Sequence, residues 1–216
     1  MSQLPAAPAR AGSAAPGGAA PATTSDSTAP DNTTPPDGPE TFRTAVDSLE
    51  RAVTRSEVRV ESIRAPQRLA PYSYALAADV MADDDGEGAT GRLVLLHDPD
   101  GADAWDGDLR LVAYASAELA ADMAGDPMLP EVGWSWLTGA LADHGAGYTA
   151  AGGTVTQTTS TRFGDVHGPS STTSLELRGS WTPTTADLTA HLLAFVDVLA
   201  TAAGLPPEGV TALGRS

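Results

Sequence analysis

Leu175-Glu176-Leu177-Arg178-Gly179-Ser180-Trp181 alternates apolar and polar residues without a slip. A period of two places Leu175, Leu177 and Trp181 on one face of a half-buried strand. Just upstream, residues 154–163 are rich in Thr and Val and predict the other arm of a hairpin. A second hairpin is predicted from Tyr72 to Met81 and from Leu93 to His97, around the turn Asp83-Asp84-Asp85-Gly86-Glu87-Gly88. Arg59-Val60-Glu61-Ser62-Ile63 reads as a short strand, and Leu109 to Ala115 as another.

The remaining periodic segments are helical. Phe42, Val46, Leu49 and Val53 form one apolar stripe, with Pro39 near the first turn. A second helical region is expected from about Ala117 to His144, broken at Gly125-Asp126-Pro127, with Gly145 as its C-terminal stop. The last helix is expected to start at the capping box Thr184-Thr185-Ala186-Asp187 and to bury Leu188, Leu192, Phe195 and Leu199. Sequential hairpins make an antiparallel sheet. The expected fold is therefore α+β and two-layered, with five to six strands in the order α-βββ(β)-α-ββ-α and the helices on one face.

Residues 1–39 hold eight of the 17 prolines, and Met1 and Leu4 are their only larger apolar side chains. Such a segment buries too little to offset the entropy of ordering it, so a disordered Pro/Ala-rich tail is expected there. Residues 40–210 are expected to form one α+β domain, and 211–216 a C-terminal tail. The tail at 1–39 carries one Arg against three Asp, so −14 of the net −16 falls on the rest of the chain.

That charge, with a pI near 4.3, argues against nucleic acid as a direct partner and against an anionic membrane surface. All 12 basic side chains are Arg, and cysteine is absent. Schiff-base lysines, a P-loop lysine, thiolate nucleophiles, disulfides and cysteine zinc sites are thereby excluded. No apolar run approaches the roughly 20 residues that span a bilayer. Met1-Ser2-Gln3-Leu4-Pro5 shows no basic start followed by an apolar stretch, so a cytoplasmic location is expected.

Several segments together resemble one actinobacterial family, the domain of unknown function 3000. They are Ala65-Pro66-Gln67-Arg68-Leu69-Ala70-Pro71-Tyr72, Gly91-Arg92-Leu93-Val94-Leu95-Leu96-His97-Asp98-Pro99, Trp105-Asp106-Gly107-Asp108, Leu129-Pro130-Glu131-Val132-Gly133-Trp134-Ser135-Trp136-Leu137 and Ala202-Ala203-Gly204-Leu205-Pro206-Pro207. The resemblance spans about residues 40–210. It implies a single intact domain and a cytoplasmic protein, and it supplies no catalytic residues and no cofactor.

The residues themselves offer few constellations. Loop 98–108 carries Asp98, Asp100, Asp103, Asp106 and Asp108, and oxygen-rich loops of this kind hold Ca²⁺ or Mg²⁺. The EF-hand spacing fails, because Gly101 comes too early and Ala102 stands at a ligand position. A solvated turn is the competing reading. Asp98, Asp100 and Asp103 are the metal candidates. His97, His144, His167 and His191 show no metal-pair spacing, and His97 and Asp98, adjacent on a strand, point to opposite faces. No catalytic residue is assigned. Trp134 and Trp136 lie about 200° apart on an ideal helix, so one belongs in the core and the other is available as an anchor for a partner.

Three functional readings follow. The first is a non-enzymatic protein-binding or chaperone-like module with an unknown protein partner, possible as a homodimer; its element order resembles type III secretion chaperone-like folds. The second is an enzyme that uses carboxylates or a divalent metal around 98–108. The third, suggested by the family resemblance, is a protein partner in RNA processing that touches protein rather than RNA.

Overall fold

The computed structural model describes residues 37–80, 88–119, 126–165, 167–168 and 170–207. They form α1 (Glu40–Arg51), β1 (Val58–Ile63), β2 (Tyr72–Val80), β3 (Ala89–Ala102), β4 (Gly107–Leu119), α2 (Leu129–Asp143), β5 (Tyr148–Thr161), β6 (Ser171–Pro183) and α3 (Thr189–Ala202). The strands make one open sheet in the order β1-β2-β3-β4-β6-β5, antiparallel throughout. The α+β fold and the element order read from the sequence are those of the molecule.

Period-two burial sets the two faces of the sheet. Leu93 and Leu95 of β3, Leu109 and Leu111 of β4, and Leu175, Leu177 and Trp181 of β6 all point to the helices and are buried. One register row crosses the sheet as Leu76, Leu93, Ala113, Gly179 and Gly153. Side chains in that row shrink toward β5, and the helix above settles into the space. A Cβ at Gly179 would come within 2.8 Å of Leu137, and one at Gly153 within 2.7 Å of Trp134. At the neighbouring position of β3, a Cβ on Gly91 would stand 2.6 Å from Phe195. Glycine is therefore what lets α2 and α3 lie close on the strands.

α3 packs on β2, β3 and β4, and α2 on β5 and β6, while α1 packs against α3. Sandwiched between sheet and helices, α3 buries His191, Leu192, Phe195, Val196, Val198 and Leu199, which wrap most of its circumference. α1 is amphipathic and buries Phe42, Val46 and Leu49. No described helix is long and apolar enough to cross a membrane.

Several local expectations are corrected. Residues 117–119 continue β4 instead of opening a helix, because Ala117 and Leu119 extend the buried row of that strand. The Asp-rich stretch is not one long loop: β3 runs to Ala102, β4 resumes at Gly107, and only residues 103–106 turn. Val53 lies beyond α1 and is 87% exposed, so the apolar stripe ends at Leu49. α3 starts at Thr189 rather than at the Thr184 box, and Leu188 receives its cap from another helix. The backbone N–H of Leu188 donates to Ser48 Oγ of α1 at 2.8 Å, and Ser48 Oγ donates to the Ala45 carbonyl at 2.7 Å. Residues 83–87 of the expected turn, Gly125 and the segments 1–36 and 208–216 lie outside the described residues.

Candidate functional site

Helices cover one face of the sheet, and the other face is bare among the described residues. Its middle row runs Glu61, Ala77, Arg92, Tyr114, Arg178 and Thr154 across the six strands. The next row brings Ile63, Ala75, Val94, Val112 and Ser180. Twist makes this surface concave, and it encloses about 880 Å³ over Val94, Val112, Arg92, Tyr114 and Arg178.

Charge in the concavity is organised around one carboxylate. Glu176 accepts from Arg178 Nε at 2.8 Å through Oε1 and from the Tyr114 hydroxyl at 3.0 Å through Oε2. The Arg178 hydrogen bond, followed by that of Tyr114, holds the Glu176 carboxyl below its ordinary range. Arg178 in turn lies over the Tyr114 ring, 5.5 Å from its centroid. Arg92, beside Tyr114 in the row, enters no salt bridge among the described residues. An exposed guanidinium over half-buried valines is an anchor for a carboxylate or an aromatic ring. Nearby, Arg110 donates to the Ala150 carbonyl at 2.8 Å, to Thr182 Oγ1 at 3.2 Å and to Ser180 Oγ at 2.7 Å, and burial lowers its pKa.

The aspartates of 98–108 do not gather. Asp100, Asp103, Asp106 and Asp108 are exposed, and Asp98 spends Oδ1 on the backbone N–H of Asp100 at 3.1 Å. No three His, Asp or Glu side chains among the described residues come together to hold a metal ion. His97 faces away from these carboxylates, buried between the rings of Phe42 and Tyr72 with centroids 6.1 and 5.9 Å away. Its Nδ1 donates to the Asp108 carbonyl at 2.9 Å, and Nε2, inside the core, has no hydrogen-bond partner among the described residues.

The other sequence candidates fall on the helix side. Trp134 is half-buried and spreads over Gly153 and Gly179, a packing role. Trp136, also half-buried, lines a cleft of about 330 Å³ between α2, α3 and Leu205-Pro206-Pro207. His144 closes α2 and contacts Asp197 of α3 through Nε2 at 2.6 Å in the same region. Buried Arg55 underlies it, donating to Glu57 at 3.0 Å and to the Pro206 carbonyl at 3.2 Å. Ser135 Oγ is engaged with the Val132 carbonyl at 2.7 Å, so it aligns with no base. His191 sits in the core, where its Nδ1 accepts from Trp181 Nε1–H at 3.1 Å. His167 is exposed.

Nothing in the linear sequence marks Arg92, Tyr114 and Arg178 as a group. Their signal was the polar phase of the same alternation: every second residue of β3, β4 and β6 faces away from the helices, and three of those positions carry two arginines and a tyrosine. No curated protein and no solved structure matches this chain. Residues 38–211 match the family described as Protein of unknown function (DUF3000), and the chain belongs to that family.

Proposed function

We propose that the chain is a cytoplasmic, non-enzymatic protein-binding module that receives its partner on the helix-free face of the sheet. One observation carries this reading: a concavity of about 880 Å³ in which Arg92, Tyr114 and Arg178 stand in one row above Val94 and Val112. Aromatic and arginine side chains over an apolar floor have the composition of an interface centre. Glu176 fixes Tyr114 and Arg178 in place before any partner arrives, which lowers the ordering cost of binding. The partner chemistry that fits is a protein segment with a carboxylate for Arg92 and an apolar side chain for the valines. Acids at Glu61 and Asp79 border the surface and disfavour a polyanion, in keeping with the net charge of −16.

Tagged chain used as bait in native cells, with mass spectrometry of what is retained, tests the reading. Arg92→Glu combined with Tyr114→Ala is expected to lose the partner while unfolding at the same temperature as the parent protein. A partner retained equally by that variant would place binding elsewhere.

A further inference from the structure

Among the described residues, β5 stands at the edge of the sheet and its backbone ladder runs on one side, to β6. The free side of such a strand is a row of backbone N–H and C=O groups that templates another strand, and proteins ordinarily blunt it with charge, proline or short length. β5 has none of these. Its 14 residues, YTAAGGTVTQTTST, include no Asp, Glu, Arg, His or Pro, and nearly all are exposed. The one irregularity lies near the start, between Thr149 and Gly152, so residues 153–161 form a regular run.

The opposite edge is built differently. β1 has six residues and carries Arg59 and Glu61, whose side chains pair at 2.7 Å. Among the described residues, then, one edge is short and charged, and the other is long and charge-free. Its net charge of −16 makes copies repel one another wherever charged surfaces meet, and β5 is a long charge-free contact line. Thr-rich strands also suit self-pairing, because threonines opposite one another pack and hydrogen-bond well. α2 rests on β5, with the space above Gly133 closed by Val155, and Met128 at its N-cap and Val132 in its first turn are two of the five exposed large apolar residues among those described. A third, Phe163, follows β5 in sequence.

We infer that β5 pairs antiparallel with the β5 of a second copy, about a twofold axis normal to the sheet. That symmetry sets a strand antiparallel beside its own copy and keeps both helix layers on the same side. It joins two six-stranded sheets into one and brings the two α2 helices to either side of the axis. The surface involved is not the one proposed above for a protein partner, so Arg92→Glu leaves the pairing intact.

Sedimentation equilibrium on the full chain tests this. The expected mass is twice 21.9 kDa, and the association tightens as NaCl is raised, because salt screens the repulsion between acidic copies. Thr158 lies in the regular run and pairs across β6 with neutral Ser174. Thr158→Lys and Thr158→Glu are each expected to weaken the dimer at least about tenfold by placing like charges near the axis, and mixing the two variants restores it. Restoration on mixing shows that both variants fold. Because the chain has no cysteine, Thr158→Cys introduces a lone thiol, which is expected to cross-link two copies under oxidation, whereas Arg59→Cys on β1 does not. A parent chain that stays monomeric at every concentration overturns the inference, and so does a dimer that both charged variants retain. Binding of an extended foreign peptide to a monomeric β5 edge overturns it as well.

Discussion

Single atoms decide how closely the helices of this protein approach its sheet. Gly153 and Gly152 are neighbours in β5 with opposite surroundings. A Cβ at Gly153 meets the Trp134 ring at 2.7 Å and runs into the Arg178 carbonyl oxygen, whereas a Cβ at Gly152 meets nothing within 4 Å. Gly153→Ala is expected to cost about 1–3 kcal/mol through overpacking. Gly152→Ala is expected to stay within roughly 0.5 kcal/mol of the parent, and urea denaturation of both compares them directly. His191 is the second residue with a measurable signature. Burial pushes its imidazole down from 6.5 to about 4, opposed by the charge of the Asp187 carboxylate. In the unfolded chain the ring takes its proton near pH 6.5, while the folded protein refuses it until about pH 4. The unfolded state therefore binds more protons within that window. The contribution of this ring to stability is full above pH 6.5, and about 3 kcal/mol of it is lost as the pH drops to about 4. His191→Asn keeps an acceptor for Trp181 Nε1–H and carries no titrating ring, so its thermal midpoint is expected to change less across the same range.

At the level of elements, the last helix borrows its start from the first. Ser48 of α1 is buried and caps the Leu188 N–H at 2.8 Å, and the Thr189 hydroxyl donates to the Ser48 carbonyl at 3.3 Å. Ser48→Ala leaves that N–H buried without an acceptor and is expected to cost about 1–3 kcal/mol, measured by chemical denaturation. Ser48→Thr, which keeps the oxygen, is expected to lose less. The contact also shows where sequence reading stops. Period-two alternation in Leu175 to Trp181 and the stripe Phe42, Val46 and Leu49 are local patterns, and both were legible. A cap supplied from 140 residues away leaves no local trace, so Thr184-Thr185-Ala186-Asp187 looked like the helix start. Asp187 does contribute one acceptor, to the Thr189 N–H at 3.0 Å, one turn later than the box implied. In the Asp-rich stretch, turn-forming residues outweighed strand signals in the sequence. Pairing with neighbouring strands carried β3 and β4 through it all the same.

Across the whole molecule, the bare face of the sheet was hidden in plain view. Alternation reveals that a strand has two sides, but only register reveals that Arg92, Tyr114 and Arg178 of three different strands share a row. The net charge of −16 acts at this scale too. Self-repulsion opposes the compact state, so raising NaCl from low ionic strength toward about 0.5 M is expected to raise the thermal midpoint. A midpoint that falls with salt would mean that attractive ion pairs dominate instead. The order of the strands has one more consequence, for synthesis. β1 to β4 leave the ribosome as successive neighbours and can zip together early. Yet the part of their apolar face that lies under α3 stays open until that helix, the last of the described elements, arrives to lie across β2, β3 and β4. The nascent chain thus carries part of its apolar sheet face in the open until α3 has been made, and that interval is when it most needs a chaperone's shelter.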